Sequence, residues 1–490
     1  MKKIFFLALL LTASISHAQN TLLEASFWKN NPKVSDVQAE IKKGNSPSAA
    51  NKGNFDVVSV AINNDASLEV IKFLMKQEGN DVKKPTHDGR IYLHWAATKG
   101  NVELIKYLVS KKSDINRTDD KGAIPIAYAA SNGQVNPEVY EIFFKAGNNP
   151  KQKFKNGANL LHLAIFNDKD LKLAEYLSKK GLSLNDTDDL GNSTFNYAAK
   201  SGDVKLLSNL LQKGVKYDGR ALIIASQGTR ALSSGLDTYK YLVEDLKLDP
   251  NSLGDNGENV LHNLFKKPKQ EEIISYFIER GTDINHIDNE KNTVLMSAAK
   301  GSLEYVKLYF HKMNNINTKS INGQTALSIA VEGGSSDMVD FLLKNKADIM
   351  EVDKNGNNLV ASWIESYKPL KKDQKDEFKL KYELLRNAGL NFLAPQRNGN
   401  TLYHLAVAKN NLDLVKQISM LGANINAKNA EGMTALHKMA LIAKDDQILK
   451  FLIEKGANKE LKTEFDETAF ELAKENEYLK ANRVELDFLK

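Results

Sequence analysis

Residues 396–428 read QRNGNTLYHLAVAKNNLDLVKQISMLGANINAK, and each part of this 33-residue stretch has a physical role. Arg397-Asn398-Gly399 is turn chemistry, because an Asn-Gly pair tolerates the positive φ of a tight hairpin. Residues 401–408 form a short apolar run suited to a small first helix. Leu412, Leu414, Val415 and Ile418 then recur at helical spacing, the stripe of a second helix. Gly422 supplies the positive-φ stop expected just past a helix C-terminus. A helical pair this small cannot bury both faces alone, so it must stack on copies of itself.

Those copies are measurable. Taking the turn glycine as a ruler, it stands at Gly89, Gly122, Gly157 and Gly191, with gaps of 33, 35 and 34 residues. It returns at Gly257, is replaced by Lys291, and reappears at Gly323 and Gly356, with gaps of 34, 32 and 33. Gly399 and Gly432 follow after 43 and 33 residues, and Asp466 holds the place 34 later. About fourteen units fit this template. The first two begin near Thr21 and Lys52, the rest near Thr86, Asp119, Phe154, Asp188, Gly219, Gly254, Asp288, Ser320, Asp353, Gln396, Asn429 and Thr463.

The residues after each ruler glycine carry a resemblance. Leu93-His94-Trp95-Ala96-Ala97, Leu161-His162-Leu163-Ala164, Tyr403-His404-Leu405-Ala406 and Thr434-Ala435-Leu436-His437 resemble the T-P-L-H-x-A signature of ankyrin repeats. Gly281-Thr282-Asp283-Ile284-Asn285 and Gly422-Ala423-Asn424-Ile425-Asn426 are similar to that family's G-A-D-x-N. The resemblance implies an all-α ankyrin-repeat solenoid with short β-hairpin fingers and a protein-binding role.

Composition bounds the alternatives. The chain has 490 residues, 42% of them hydrophobic, and only ten prolines, which suits ordered protein rather than linkers. Residues 1–18 read as a secretory signal peptide, with Lys2-Lys3, an apolar core, and small residues at Ser16 and Ala18 before a cut at Gln19. Export follows, to the periplasm or the medium, of a bacterial protein that stays out of the membrane. There is no cysteine, so stability rests on packing. Loss of Lys2 and Lys3 lowers the net charge from +6 to +4, and the 67 basic residues are interleaved with 61 acidic ones. Nucleic-acid binding, which needs a concentrated basic face, is not expected.

The domain plan follows from the ruler. Residues 19–85 are divergent N-terminal capping repeats, 86–218 regular repeats, and 219–253 an irregular repeat whose finger is too short. Residues 254–462 are regular again, apart from an insertion at 366–380, and 463–490 form the C-terminal cap.

Catalysis finds no footing. Five of nine histidines, His94, His162, His262, His404 and His437, share one repeat position and lie too far apart to ligate one metal. In ankyrin repeats that histidine is implied to hydrogen-bond backbone across adjacent fingers. No nucleophile elbow, zinc-protease or phosphate-loop motif occurs. The pairs Asp119-Asp120 and Asp188-Asp189 read as exposed turn residues. No enzyme activity, metal or cofactor is expected.

Binding is implied at finger tips and first-helix ends. The candidate residues are His87, Asp88, Arg90, Thr98 and Lys99 in the third unit, and Asp120 and Lys121 in the fourth. The fifth unit offers Lys155, Asn156, Phe166 and Asn167, and the twelfth Arg397, Asn398 and Lys409. Trp95, Tyr128 and Tyr197 fall at a usually apolar repeat position and read as packing, whereas Phe166 aligns with an exposed helix end. The expected protein is a monomeric, non-catalytic scaffold that binds a partner protein through its concave face and finger tips. The alternative is a secreted effector acting on host or competitor proteins.

Overall fold

A computed structural model of the chain describes residues 20–228, 234–371 and 374–490, so the leader assigned to residues 1–18 lies outside the described residues. Two compact units divide the chain, one ending at Tyr241 and the other beginning at Leu242. Each is a stack of short antiparallel helical pairs joined by tight loops, and the described residues contain isolated bridges but no strand.

Among the described residues the first unit holds seven pairs, from Ala25–Trp28 with Val34–Lys42 to Arg220–Gln227 with Leu236–Lys240. The second also holds seven, from Val260–Leu264 with Glu271–Glu279 to Ala469–Glu475 with Glu477–Ala481. Within each unit first helices pack on first helices: Val57–Asn63 on Tyr92–Lys99, that on Pro125–Ser131, and likewise Leu402–Ala408 on Ala435–Ile442. Small residues permit this approach, with Ala96, Ala129, Ala406 and Ala440 all fully buried.

Side chains start many of the second helices, and left-handed residues end most of them. Asn101 Oδ1 accepts the Leu104 N–H at 3.0 Å and Asn411 Oδ1 the Leu414 N–H at 2.9 Å, satisfying donors that the helix leaves orphaned. Gly422 closes Leu412–Ser419 at φ 76°, and Lys112 and Lys346 serve the same purpose at φ 61° and 67°. Leu414, Val415 and Ile418 are buried as their spacing predicts. Each contributes about 1.5–3 kcal/mol of apolar burial.

The finger is a five-residue loop closed by its ends. The N–H of its first residue donates to the carbonyl of its fifth: Thr86 to Arg90 at 2.7 Å, Asp119 to Ala123 at 3.0 Å, Gln396 to Asn400 at 2.9 Å. The ruler position is left-handed throughout, including Lys291 at φ 59° and Asp466 at φ 62°, where glycine is replaced.

The two breaks in the rhythm have structural counterparts. Between Val204–Gln212 and Arg220–Gln227 no finger forms. In the eleventh repeat the second helix, Glu377–Asn387, begins inside the insertion expected at 366–380, is longer than its counterparts, and starts on an aromatic cluster. There Trp363 stacks on Phe378 at 4.1 Å and donates its indole N–H to the Phe378 carbonyl at 2.9 Å.

Candidate interaction surface

Two hydrogen-bond systems tie neighbouring repeats within each unit, and they decide which side chains remain for a partner. The first runs along the finger tips. The Asp120 N–H donates to the Asp88 carbonyl and the Asp189 N–H to the Asn156 carbonyl, both at 2.9 Å. In the second unit Asn289 donates to Asn256 at 2.9 Å, Ile321 to Glu290 at 2.8 Å, Lys354 to Asn322 at 3.0 Å and Ala430 to Asn398 at 3.0 Å. Where the seventh repeat lacks a finger, the Arg220 guanidinium supplies the missing donor. It reaches the carbonyls of Leu190 and Gly191, the latter at 2.9 Å, while Asp218 holds its base.

The second system is the histidine brace. Nε2 of His94 donates to the Ala123 carbonyl at 3.1 Å, His162 to Asp186 at 3.0 Å, His262 to Asn292 at 3.2 Å, His404 to Met433 at 2.9 Å and His437 to Leu461 at 2.9 Å. In His94, His162, His404 and His437 the opposite Nδ1 accepts a backbone N–H, so the ring is neutral and its tautomer fixed. Burial lowers the pKa of all five, to about 4 for His262. These rings hold backbone, as their placement one per repeat implies.

Against that frame the candidate residues separate into three groups. Asp120, Lys121, Lys155, Asn156, Arg397 and Asn398 keep exposed side chains on backbone fixed by the finger. His87, Asp88, Thr98, Lys99, Asn167 and Lys409 are half-buried or engaged within the chain. His87 stacks on Phe55 and meets the Gly53 carbonyl at 2.7 Å; Lys99 pairs with Asp65 at 2.8 Å and Lys409 with Glu365. Lys121 also donates to Asp88 at 3.0 Å, which holds the Asp88 carboxyl below its usual pKa.

Two candidates are corrected. Arg90 is 5% exposed, and its guanidinium donates to Asp119 and Asp88 at 3.1 Å each while lying 4.3 Å from the Tyr128 ring centroid. It braces two fingers and Asp119, itself buried, receives it. Phe166 is 8% exposed rather than open, because the helix end carrying it tightens into the turn Ile165–Asn167, and the Lys200 ammonium covers its ring at 5.3 Å. The Asp pairs are likewise split: Asp119 and Asp188 are 5% exposed and accept the N–H groups two and four residues on. Only Asp120 and Asp189 face solvent.

Sequence reasoning missed Arg220, whose role appears only when the absent finger is set beside its neighbour. It also missed Lys381, a lysine on a buried helix stripe. Among the described residues no group of three acidic or histidine side chains is placed to hold a metal ion, and no helix is long and apolar enough to cross a membrane.

Comparison with known proteins agrees with this geometry. A family model of ankyrin repeats in three copies matches residues 58–154, 126–221, 222–320 and 383–484, and one of ankyrin repeats in many copies matches 311–361. The chain belongs to the ankyrin-repeat family. A putative ankyrin repeat protein of Rickettsia bellii is 24% identical over 400 residues, covering 68% of this chain and 51% of that protein. The ankyrin repeat and KH domain-containing protein mask-1 of Caenorhabditis elegans is 23% identical over 306 residues, 57% of this chain and 11% of the worm protein. The chain thus spans about half or less of these relatives. Among solved structures, a chain in the complex of a predatory endopeptidase of Bdellovibrio bacteriovorus with its immunity protein is 30% identical. It covers 40% of this ankyrin chain and 95% of its own length, with a TM-score of 0.32.

Proposed function

We propose that this ankyrin-repeat chain is an exported, non-catalytic scaffold that binds a partner protein through its finger tips. The observation that carries this reading is the division of labour within each repeat. Residues that recur from unit to unit are spent on stacking and bracing, whereas the finger position held by Asp120, Lys155 and Arg397 varies between units and keeps these side chains exposed on pinned backbone. Such a surface loses little conformational entropy on binding, which is where a preorganised scaffold gains affinity. Its mixed polar chemistry suits a protein surface better than a polyanion.

Export rests on residues 1–18, whose basic start, apolar core and small-residue cleavage site agree. The protein works as a monomer beyond the inner membrane of a bacterium, in the periplasm or the medium. The test is crosslinking of the full chain in its native cells, with fractionation and mass-spectrometric identification of partners. Lys121→Glu with Lys155→Glu, and separately Arg397→Glu with Asn398→Asp, should reduce recovery of one specific partner by about tenfold or more. Unchanged recovery in both double variants, or recovery only from cytoplasm, would sink the reading.

A further inference from the structure

Eight of the second helices share a register. Eight residues before the left-handed residue that follows the helix stands a buried apolar side chain: Leu104, Val139, Leu173, Leu206, Ile273, Met338, Leu414 and Ile448, none more than 6% exposed. In the helix Glu377–Asn387, which ends at Gly389, that place belongs to Lys381. The lysine is as buried as the residues it replaces, 3% exposed. Its Nζ donates to the Val331 carbonyl at 3.0 Å, and no carboxylate lies within ion-pair distance among the described residues. A buried ammonium holding one neutral acceptor is costly. Burial accordingly lowers its pKa, with Glu377 opposing and Lys368 and Lys300 reinforcing the shift.

Lys381 lines a cavity of about 350 Å³. The opposite wall is Gly333-Gly334-Ser335, where the preceding repeat turns into Ser336–Lys344, and the lip is Lys368, Pro369 and Leu370 of the insertion. Phe378 forms the apolar floor. The acids that line the cavity among the described residues are committed elsewhere. Glu332 pairs with Lys300 at 3.5 Å, Asp376 caps its own helix through the Lys379 N–H at 3.0 Å, and Glu377 accepts the Ser336 N–H. Lys368, exposed at the lip, makes no ion pair among the described residues. So the two departures of this repeat from the common pattern, an inserted segment and a charged core residue, meet at one cavity.

We propose that this cavity binds a small organic monocarboxylate, its carboxylate paired with the Lys381 ammonium and its apolar body against Phe378 and Leu370. One unpaired buried cation, ringed by carboxylates already in use, matches a single negative charge; a dianion such as phosphate would meet repulsion from Glu332 and Glu377. The volume lies at the lower end of small-molecule pockets. The carboxylate belongs either to a free acid or to the C-terminus of a peptide.

The test uses the full chain and two probe sets: benzoate and hexanoate as free acids, and a short peptide ending in Phe as its free acid and as its amide. Binding is read by calorimetry and by the rise in melting temperature. Lys381→Met should fold, since Met338 fills the same place in the preceding repeat, and should melt higher than the wild type without ligand. The wild type should bind at least one carboxylate, with affinity weaker by about tenfold or more in Lys381→Met, a loss of about 1.4 kcal/mol or more. Binding of the acids alone assigns a metabolite; binding of the free-acid peptide but not its amide assigns a chain terminus. A readout independent of the variant is the 13C resonance of reductively dimethylated Lys381, whose titration should move to higher pH on saturation with the acid. No binding by any probe, equal binding in Lys381→Met, or an unmoved titration would overturn the proposal.

Discussion

Arg90 shows how far a charged residue can move from its apparent role once repeats are stacked. At a finger position in the sequence it reads as a solvent-facing cation; in the fold it joins Asp88 and Asp119 beneath Tyr128. Removing it strands the Asp119 carboxylate, whose side chain is 1% exposed, so Arg90→Ala should cost about 3–5 kcal/mol in chemical denaturation. A loss near zero would return Arg90 to the surface. The histidine braces give a pH dependence with a definite sign. Each has its pKa lowered in the fold, so below about pH 6.5 the unfolded chain takes up protons that the folded chain refuses. Stability is complete above that pH and falls toward the lowered folded values, by up to ~1.4 kcal/mol per pH unit for each histidine. His404→Gln should flatten the slope below about pH 6.5 while lowering stability at neutral pH. An unchanged slope would mean that His404 takes up its proton equally well in the folded and the unfolded chain.

At the scale of the element, the sequence was legible wherever one residue type answers one local demand. The ruler glycines mark left-handed backbone, Asn411 and Asn101 mark helix starts, and the spacing of Leu414, Val415 and Ile418 marks a buried face. Illegible were the contacts between elements some thirty residues apart. Arg90 with Asp119, Arg220 with Leu190, and the burial of Phe166 depend on how a neighbouring repeat is set, and no local pattern encodes that. Lys381 lay between these cases, because its register with Leu414 is visible once the helix-ending Gly389 and Gly422 are aligned. The finger also offers a local test. Lys291 holds the ruler position at φ 59°, a conformation that a side chain disfavours by about 1–2 kcal/mol. Lys291→Gly should therefore stabilise the protein, by about 1 kcal/mol after the added freedom of the unfolded chain is deducted. Destabilisation would show that the lysine side chain makes a contact worth more than the strain.

For the whole molecule the governing fact is that contacts join neighbours. Val102–Ser110 packs on its own partner Tyr92–Lys99 and on the next second helix, Pro137–Lys145, and the helices of the second unit follow the same rule. Stability then behaves as a sum of repeat and interface terms rather than as one core. Leu104, fully buried at the centre of such a contact, is the place to test this. Leu104→Ala should cost about 2–5 kcal/mol where it is felt. Native-state hydrogen exchange should show that cost in the amides of Tyr92–Lys99, Val102–Ser110 and Pro137–Lys145. Amides of Leu402–Ala408 and Ala435–Ile442 should keep wild-type protection. An equal loss in those distant helices would mean that the chain opens as a single cooperative body. The local outcome has a consequence for binding: a partner that clamps one group of repeats would raise protection there and leave the others unchanged, so the same measurement on the complex would map the surface it occupies.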